Sequence, residues 1–432
     1  MSCFLWGCPP QPTAPTNLSL DPCCALVIAE PVGAGFGSDD LLVSQRRGDP
    51  ALDQWTQFQR QAGAFQASFR GFGFGTTLQD LKAVDVPLAQ GGHEVHILAV
   101  IFSMMNVANF GFDLAEIVQG SNGVWGPFRR MDALVPSGMS GGPLGSDLGR
   151  SASFQRISSA VVSGVLNACA VEDKGQIERN RLVNSQWEGW TDVERATSGK
   201  TGIIPDGQFT DVGQFVDVGC ASVFDPASGA EQLHVCGVTA DGKLWQSRET
   251  SPGMFAPFVD VQAGAGKVGD FTKVDCAGNK SQFHLVGITK DGRAWHTILI
   301  PSGAWRPFQN VFDQAQSNGL LSTFSGNFAD LAIGFCNDGV PPNAPSDVSQ
   351  LDVVFTSLAP AGNDQIWLTI RAINPVRWNG MLAAQNWKPL KDISSLVERP
   401  SDAQNVKDTL ARGAASGTFW KGFSVGARPF AP

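Results

Sequence analysis

Residues 233–245 read LHVCGVTADGKLW and residues 283–295 read FHLVGITKDGRAW. The two align without a gap at an offset of fifty residues, which also carries Gly253, Pro257, Phe258 and Val261 onto Gly303, Pro307, Phe308 and Val311. A period of about 40–50 residues is the size of one propeller blade. Within the unit, His284, Val286 and Ile288 alternate with Phe283, Leu285 and Gly287, the period of a half-buried strand. Asp291-Gly292 predicts a tight primed hairpin turn, because Gly accepts positive φ. Arg293 to Ile300 and Trp305 to Val311 read as further strands, and Phe271 to Cys276 as the strand before them. The unit is a four-stranded antiparallel meander.

Outward from this pair, looser copies fill the chain. Val95 to Val100 matches Leu233 to Val238, and Leu166 to Val171 opens another copy. Strand ends of the Trp-x-Pro-Phe type fall at Trp55, Trp125, Trp187, Phe255, Trp305 and Trp387. The expected fold is therefore all-β, a β-propeller of six four-stranded blades at about 24–62, 82–134, 154–197, 215–261, 271–313 and 328–397. Residues 1–23 form an N-terminal segment and 398–432 a closing segment. Seven blades is the rival count, if 62–90 or 398–432 hides a degenerate copy. A sheet array must hide its edges. A strand near Phe419 to Val425 is expected to join the first copy as its inner strand and close the ring. Ser401 and Gln404 mark the start of a short helix before it.

Composition agrees. Charged residues are 16% of the chain and Gly numbers 49, which suits short strands and many turns. A net charge of −9 argues against a nucleic-acid partner. No apolar run spans a bilayer; Ile97 to Met105 has the length of a buried strand. The N-terminus MSCFLWGCPP lacks a basic start and an adequate apolar core, so no secretory signal is expected, leaving the cytoplasm or a non-classical export route open. Of nine Cys, Cys169, Cys220, Cys236, Cys276 and Cys336 fall in predicted strands, where reduced Cys serves as a small apolar filler. Cys3, Cys8, Cys23 and Cys24 cluster without a strong zinc spacing. Tyr is absent against 28 Phe and 12 Trp, so no phenol can act as an acid or donor.

No catalytic set or cofactor site is expected. Gly138 to Leu144 (GMSGGPL) looks locally like a serine-protease nucleophile segment, but a His base and an orienting Asp are needed with it, and the surrounding residues belong to the second copy. Ala263 to Val268 lacks the first Gly and the Ser or Thr of a phosphate loop. The Asp-Gly turns lack the further carboxylates of a calcium loop.

The Asp-Gly turn, the Leu-Trp or Ala-Trp after it and the Trp-x-Pro-Phe end resemble the repeats of tectonin-like and fucose-lectin-like propellers, over 215–313 best and 82–197 less closely. The resemblance implies sugar binding between neighbouring blades, on an aromatic plate with a basic residue and polar hydrogen-bonders. Trp245, Trp295 and Trp367 share one repeat position, whose counterparts in the first three copies are read as Val43, Ala115 and Glu178. Three residues on stand Arg46, Arg181 and Arg248. Side chains alternate along a strand, so Trp245 and Arg248 point to opposite faces of a blade. The expected pocket pairs Arg248 with Trp295, with Glu249, His296 and Trp305 as rim. Trp245, Trp367 and Arg371 are the further candidate ligand-binding residues. Against this stands packing: a Trp once per blade commonly fills the space between blades, and His96, His234 and His284, at one mid-strand position, read as structural hydrogen-bonders. The expected function is thus a non-enzymatic glycan-binding propeller; the alternative is a protein-interaction or assembly propeller without a sugar site.

Overall fold

A computed structural model describes residues 25–30, 40–45, 59–60, 77–88, 93–103, 111–121, 126, 129–131, 154–198, 212–225, 228–279, 282–316, 327–336, 349–358, 365–373, 387–392 and 423–425. The segment Gly138 to Leu144 and the helix expected after Ser401 lie outside these residues.

The chain is an all-β propeller of antiparallel sheets. A short opening run comprises β1 (Ala25–Glu30), β2 (Asp40–Gln45) and β3 (Gln59–Arg60). Five blades follow. Blade A is β4 (Thr77–Pro87), β5 (His93–Ser103), β6 (Gly111–Gln119) and β7 (Arg129–Arg130). Blade B is β8 (Phe154–Val162), β9 (Val165–Glu172), β10 (Ile177–Val183), β11 (Gln186–Trp187) and β12 (Thr191–Asp192), followed by helix α1 (Val193–Ser198). Blade C is β13 (Phe215–Asp225), β14 (Ala230–Thr239), β15 (Leu244–Ser251), β16 (Met254–Phe255) and β17 (Val259–Asp260), followed by α2 (Val261–Ala265). Blade D is β18 (Phe271–Gly278), β19 (Phe283–Thr289), β20 (Ala294–Leu299) and β21 (Gln309–Asn310), followed by α3 (Val311–Gln316). Blade E is β22 (Asn327–Cys336), β23 (Ser349–Leu358), β24 (Gln365–Ile373) and β25 (Lys391–Asp392).

The count of six like copies needs correcting: five are blades built alike, and the first copy is not. It supplies only β1 to β3, and the fourth strand of that sheet, β26 (Phe423–Val425), comes from the far end of the chain and pairs with β1. Among the described residues no seventh sheet occurs. The stretch read as a strand from Trp305 to Val311 is only a bridge from Leu299 to Trp305 and the two-residue β21, because α3 begins at Val311.

The hairpin turn also differs from expectation. Gly292 N–H donates to the Thr289 carbonyl at 2.7 Å and Thr289 N–H to the Arg293 carbonyl at 2.9 Å, with only Gly292 at positive φ (79°). This is a type I turn closed by a Gly bulge rather than a primed two-residue turn. Its purpose is visible one blade on. The Gly292 carbonyl accepts the N–H of Phe328, as Gly242 does for Phe271 and Gly175 for Phe215. Each turn thus docks on the Phe that opens the next inner strand.

The inner strands carry charge in alternating sign. Immediately after each strand's bulge stand Asp80, Arg156, Asp217, Lys273 and Asp330. Arg156 Nε lies 3.4 Å from Asp217 and Lys273 Nζ 3.5 Å from Asp330. Asp80 and Asp217 also accept the N–H groups of Ile157 and Val274 in the next blades, both at 2.8 Å. Two residues further on, Lys82 of blade A reaches Asp275 of blade D at 2.6 Å. That bond joins blades that are not neighbours, across the centre of the ring. Between blades the packing is apolar: Phe215, Val218 and Leu233 of blade C meet Cys169, Val171 and Ile177 of blade B in one cluster.

Candidate functional site

The spaces between blades are built from a repeated set of positions. The aromatic strand ends pair with a residue of the third strand in blades B to E: Leu182 with Trp187, Glu249 with Phe255, Leu299 with Trp305, Arg371 with Trp387. Each of these third-strand residues lies four beyond the plate position, here Glu178, Trp245, Trp295 and Trp367. Alternation puts them on the same face, and that face meets the preceding blade: Trp245 packs with blade B, Trp295 and Trp305 with blade C. The opposite face presents His96 and Glu116, Asn167 and Arg179, His234 and Gln246, or His284 and His296 to the following blade. Register places the plate position of the first copy at Leu42, which pairs with Arg60 as Trp295 pairs with Asn310. Val43, which pairs with Gln59, is one residue out.

Two of the four described gaps, A–B and B–C, are bridged by side-chain hydrogen bonds, and the D–E gap is crossed by a His–Trp ring contact. Between blades A and B, Glu116 is fully buried and accepts from His96 Nδ1 at 2.6 Å, Trp187 Nε1 at 3.3 Å and Arg129 at 3.3 Å. Between B and C, Arg179 Nη2 donates to Glu249 at 3.0 Å and its Nε to Asn167 at 3.0 Å, and its guanidinium lies 6.0 Å from the Phe255 ring. Burial lowers the Arg179 pKa, and Glu249 counters that. Between D and E, the Arg371 guanidinium lies 5.9 Å from the Trp387 ring, whose edge His296 meets at 5.1 Å. His296 shares a 3.1 Å hydrogen bond with His284. Burial, then Arg371, hold both imidazoles neutral, far below the ordinary histidine range, and burial draws Arg371 itself down to about 10.

The gap between C and D is different. Gln246 turns back to His234 at 3.2 Å and to the Ser247 carbonyl at 2.6 Å instead of crossing. His234 is neutral, its pKa pushed down to about 3 by burial and then by Arg248. Its ring stacks at 5.1 Å on Phe283, which meets Trp305 edge-on at 6.1 Å. Arg248 is exposed and pairs in register with His234, so it overhangs this same gap. Among the described residues Arg248 has no carboxylate partner. Trp295, Leu299 and Trp305 on the facing wall are only half-buried.

The eight residues singled out by sequence therefore divide. Arg248 and Trp305 share one end of the C–D gap. Trp295 faces the same gap but lies at its other end, beside the turn, where its indole N–H donates to Thr289 at 3.2 Å; Trp245 is held by Thr239 in the same way. Glu249 belongs to the B–C gap, and His296, Trp367 and Arg371 to the D–E gap. Trp367 is 1% exposed and donates to Ser357 at 3.1 Å. The bridging residues Glu116 and Arg179 escaped the sequence reading, which looked for aromatic plates. Their signal was the position after the plate, where every copy differs.

The cysteines need a correction. Cys236 and Cys276 are joined as a disulfide between blades C and D, whereas Cys169 and Cys220 are buried thiols. Strand propensity treats each Cys singly and cannot see that blade stacking brings these pairs together. Among the described residues no group of three or more His, Cys, Asp or Glu is arranged to hold a metal.

No protein-family model matches the chain, and no curated protein matches it. Among solved structures, AofleA from Arthrobotrys oligospora is similar at 12% identity and a TM-score of 0.43, over 87% of each chain. The fucose-specific lectin from Aleuria aurantia is similar at 10% identity and a TM-score of 0.40, over 75% of this chain and 80% of that one. A Trypanosoma rangeli sialidase mutant displaying trans-sialidase activity is similar at 11% and 0.44, over 79% of this chain and 51% of that one. Lectins and an enzyme thus stand side by side among these distant likenesses, and none of them assigns a ligand.

Proposed function

We propose that the protein is a non-catalytic glycan-binding propeller whose site is the gap between blades C and D. The observation that carries this is that, at one end of that gap, Arg248, exposed and without a carboxylate partner among the described residues, overhangs the wall that carries the half-buried Trp305. A sugar ring has an apolar C–H face and a polar rim. Trp305 offers a flat surface for the first, and the Arg248 fork offers several donors for the second. The A–B and B–C gaps are occupied by hydrogen-bonded bridges, whereas the C–D gap is crossed by the Cys236–Cys276 disulfide and the His234–Phe283 ring contact. A glycan-array screen, followed by titration with Trp fluorescence, tests the reading. A hit should lose affinity at least tenfold in Arg248→Ala and in Trp305→Ala. Binding unchanged in both variants sinks the site. A blank array with folded protein favours the second reading, an assembly propeller, for which the bridged A–B and B–C gaps speak.

We also infer that the terminal sheet closes the propeller between blades E and A. β26 lies against both β22 and β4. The sequence just before it, Phe419-Trp420-Lys421, repeats the spacing of Phe215-Val216-Asp217, Phe271-Thr272-Lys273 and Phe328-Ala329-Asp330. By that spacing Lys421 is the sequence counterpart of Asp217, Lys273 and Asp330, with a positive charge. Reversing it in Lys421→Glu should lower the urea midpoint, and Lys421→Arg should not.

A further inference from the structure

Cys169 and Cys220 stand in the B–C gap where Cys236 and Cys276 stand in the C–D gap. Cys169 pairs in register with Ser158 on one side and Arg179 on the other. Cys236 pairs with Gly219 and Gln246, the same two positions one blade later. Cys220 and Cys276 each come five residues after the Phe that opens their inner strand, Phe215 and Phe271. All four are buried, and the neighbouring Cys220 thiol, with burial, pushes the Cys169 pKa well up. One pair is nevertheless bonded and the other is not.

The residue opposite the first Cys differs. A Cβ at Gly219 would stand 2.6 Å from Cys276 Sγ and 3.0 Å from Cys236 Sγ, closer than real Cβ contacts come. The disulfide therefore runs through space that only glycine leaves open. At the matching place Ser158 is 1% exposed, and its hydroxyl accepts the Cys220 N–H at 3.0 Å. Its Cβ fills the corridor and its hydroxyl fixes the strand that carries Cys220.

We propose that the chain carries two inter-blade dithiols of opposite redox behaviour, and that the residue at 158 or 219 decides which of them oxidises. Cys236–Cys276 is a redox-sensitive staple between blades C and D, and Cys169–Cys220 is kept as thiols by Ser158. With oxidised glutathione as oxidant, the Cys236 thiolate attacks it, releasing one reduced glutathione. The Cys276 thiolate then displaces the second, so two thiols lose two protons and two electrons and the glutathione disulfide gains them. The assignment is independent of the glycan reading.

The test uses the full chain equilibrated in oxidised and reduced glutathione, quenched by alkylation in denaturant and mapped by peptide mass spectrometry. Wild type should give a Cys236–Cys276 cross-link, with Cys169 and Cys220 alkylated. Ser158→Gly should add a Cys169–Cys220 cross-link, and Ser158→Ala, which keeps the Cβ, should not. Gly219→Ser should leave Cys236 and Cys276 alkylated. Circular dichroism checks that each variant is folded; if one 158 or 219 variant fails to fold, the variant in the other gap decides. A Cys169–Cys220 cross-link in wild type, alkylated Cys236 and Cys276 in wild type, or a folded Ser158→Gly without its cross-link each overturns the proposal.

Discussion

The indole N–H of Trp295 donates to the hydroxyl of Thr289 at 3.2 Å, and that hydroxyl donates to Asp291 at 2.6 Å. Trp245, Thr239 and Asp241 repeat the chain with the same distances. The repeat Trp is thus a brace for the hairpin turn, and its polar edge is already used. Thr289→Val keeps the shape and removes both bonds. It should cost about 1–2 kcal/mol, the range for losing a satisfied hydrogen bond while stranding its partner. Urea unfolding measures this. The Asp291 pKa, held down first by Thr289, should rise in the same variant. An unchanged midpoint would show that the brace carries no stability.

The glycines of these turns separate strain from crowding. Gly242 and Gly292 have φ of 81° and 79°, and an added Cβ would stand 2.4 Å from Asp270 Cβ and 2.1 Å from Asn327 Cβ, in the next blade. Gly303 has φ of 80° with open space around it. Gly303→Ala should therefore cost only the backbone term, about 1 kcal/mol. Gly292→Ala adds a clash with the next blade and should cost several times that. Equal losses in the two variants would mean that the turn does not dock on its neighbour.

Much of this architecture could be read in the chain. The alternation from Phe283 to Thr289 and the Asp-Gly turn locate strands, because a pleated strand and a left-handed glycine are local requirements. What could not be read depends on how blades stack. Trp295 and Arg248 stand on facing walls of one gap, but one lies beside the turn and the other three residues along the strand. The Arg179–Glu249 bridge and the Cys236–Cys276 bond join residues 70 and 40 apart in sequence. They follow from blade spacing and not from any local pattern. The inner-strand charges were in view, but their alternation emerges only once each bulge fixes which residue stands at the axis.

Lys82 and Asp275 form a buried pair, with side chains 6% and 9% exposed. Breaking such a pair from one side leaves a buried charge and costs about 3–5 kcal/mol. Lys82→Met should destabilise by that order in urea. Adding Asp275→Asn should recover most of the loss, since an Asn can still accept the Ile333 N–H that Asp275 accepts at 3.0 Å. A single Lys82→Met within about 1 kcal/mol of wild type would show that the link across the ring is dispensable.

Asp80 gives the ring a dependence on pH. Burial raises its pKa to about 6 from 3.8, against the pull of Arg156 and Lys273. Between those values the folded state holds a proton that the unfolded state releases. This contribution is therefore fully present below the unfolded pKa and is lost as pH rises to about 6. Asp80→Asn removes the desolvated charge and keeps an acceptor for Ile157. It should be more stable than wild type at pH 7 by a few kcal/mol, with the gap closing by pH 4. A variant equally less stable at both pH values would contradict the assignment.

The buried histidines act in the opposite direction. His234, His284 and His296 are held neutral by burial first, and then by Arg248 for His234 and Arg371 for the other two. Their unfolded pKa is near 6.5, so below that pH the unfolded chain binds protons that the folded chain refuses. The stability they contribute is present above pH 6.5 and is lost as pH falls, by up to ~1.4 kcal/mol per pH unit for each residue. His296→Gln keeps a polar group beside Trp387 and cannot titrate. Plotted between pH 6.5 and 4.5, its unfolding free energy should fall less steeply than that of wild type by about one proton's worth. Parallel curves would mean that His296 already titrates normally in the folded protein, and that the D–E gap admits water.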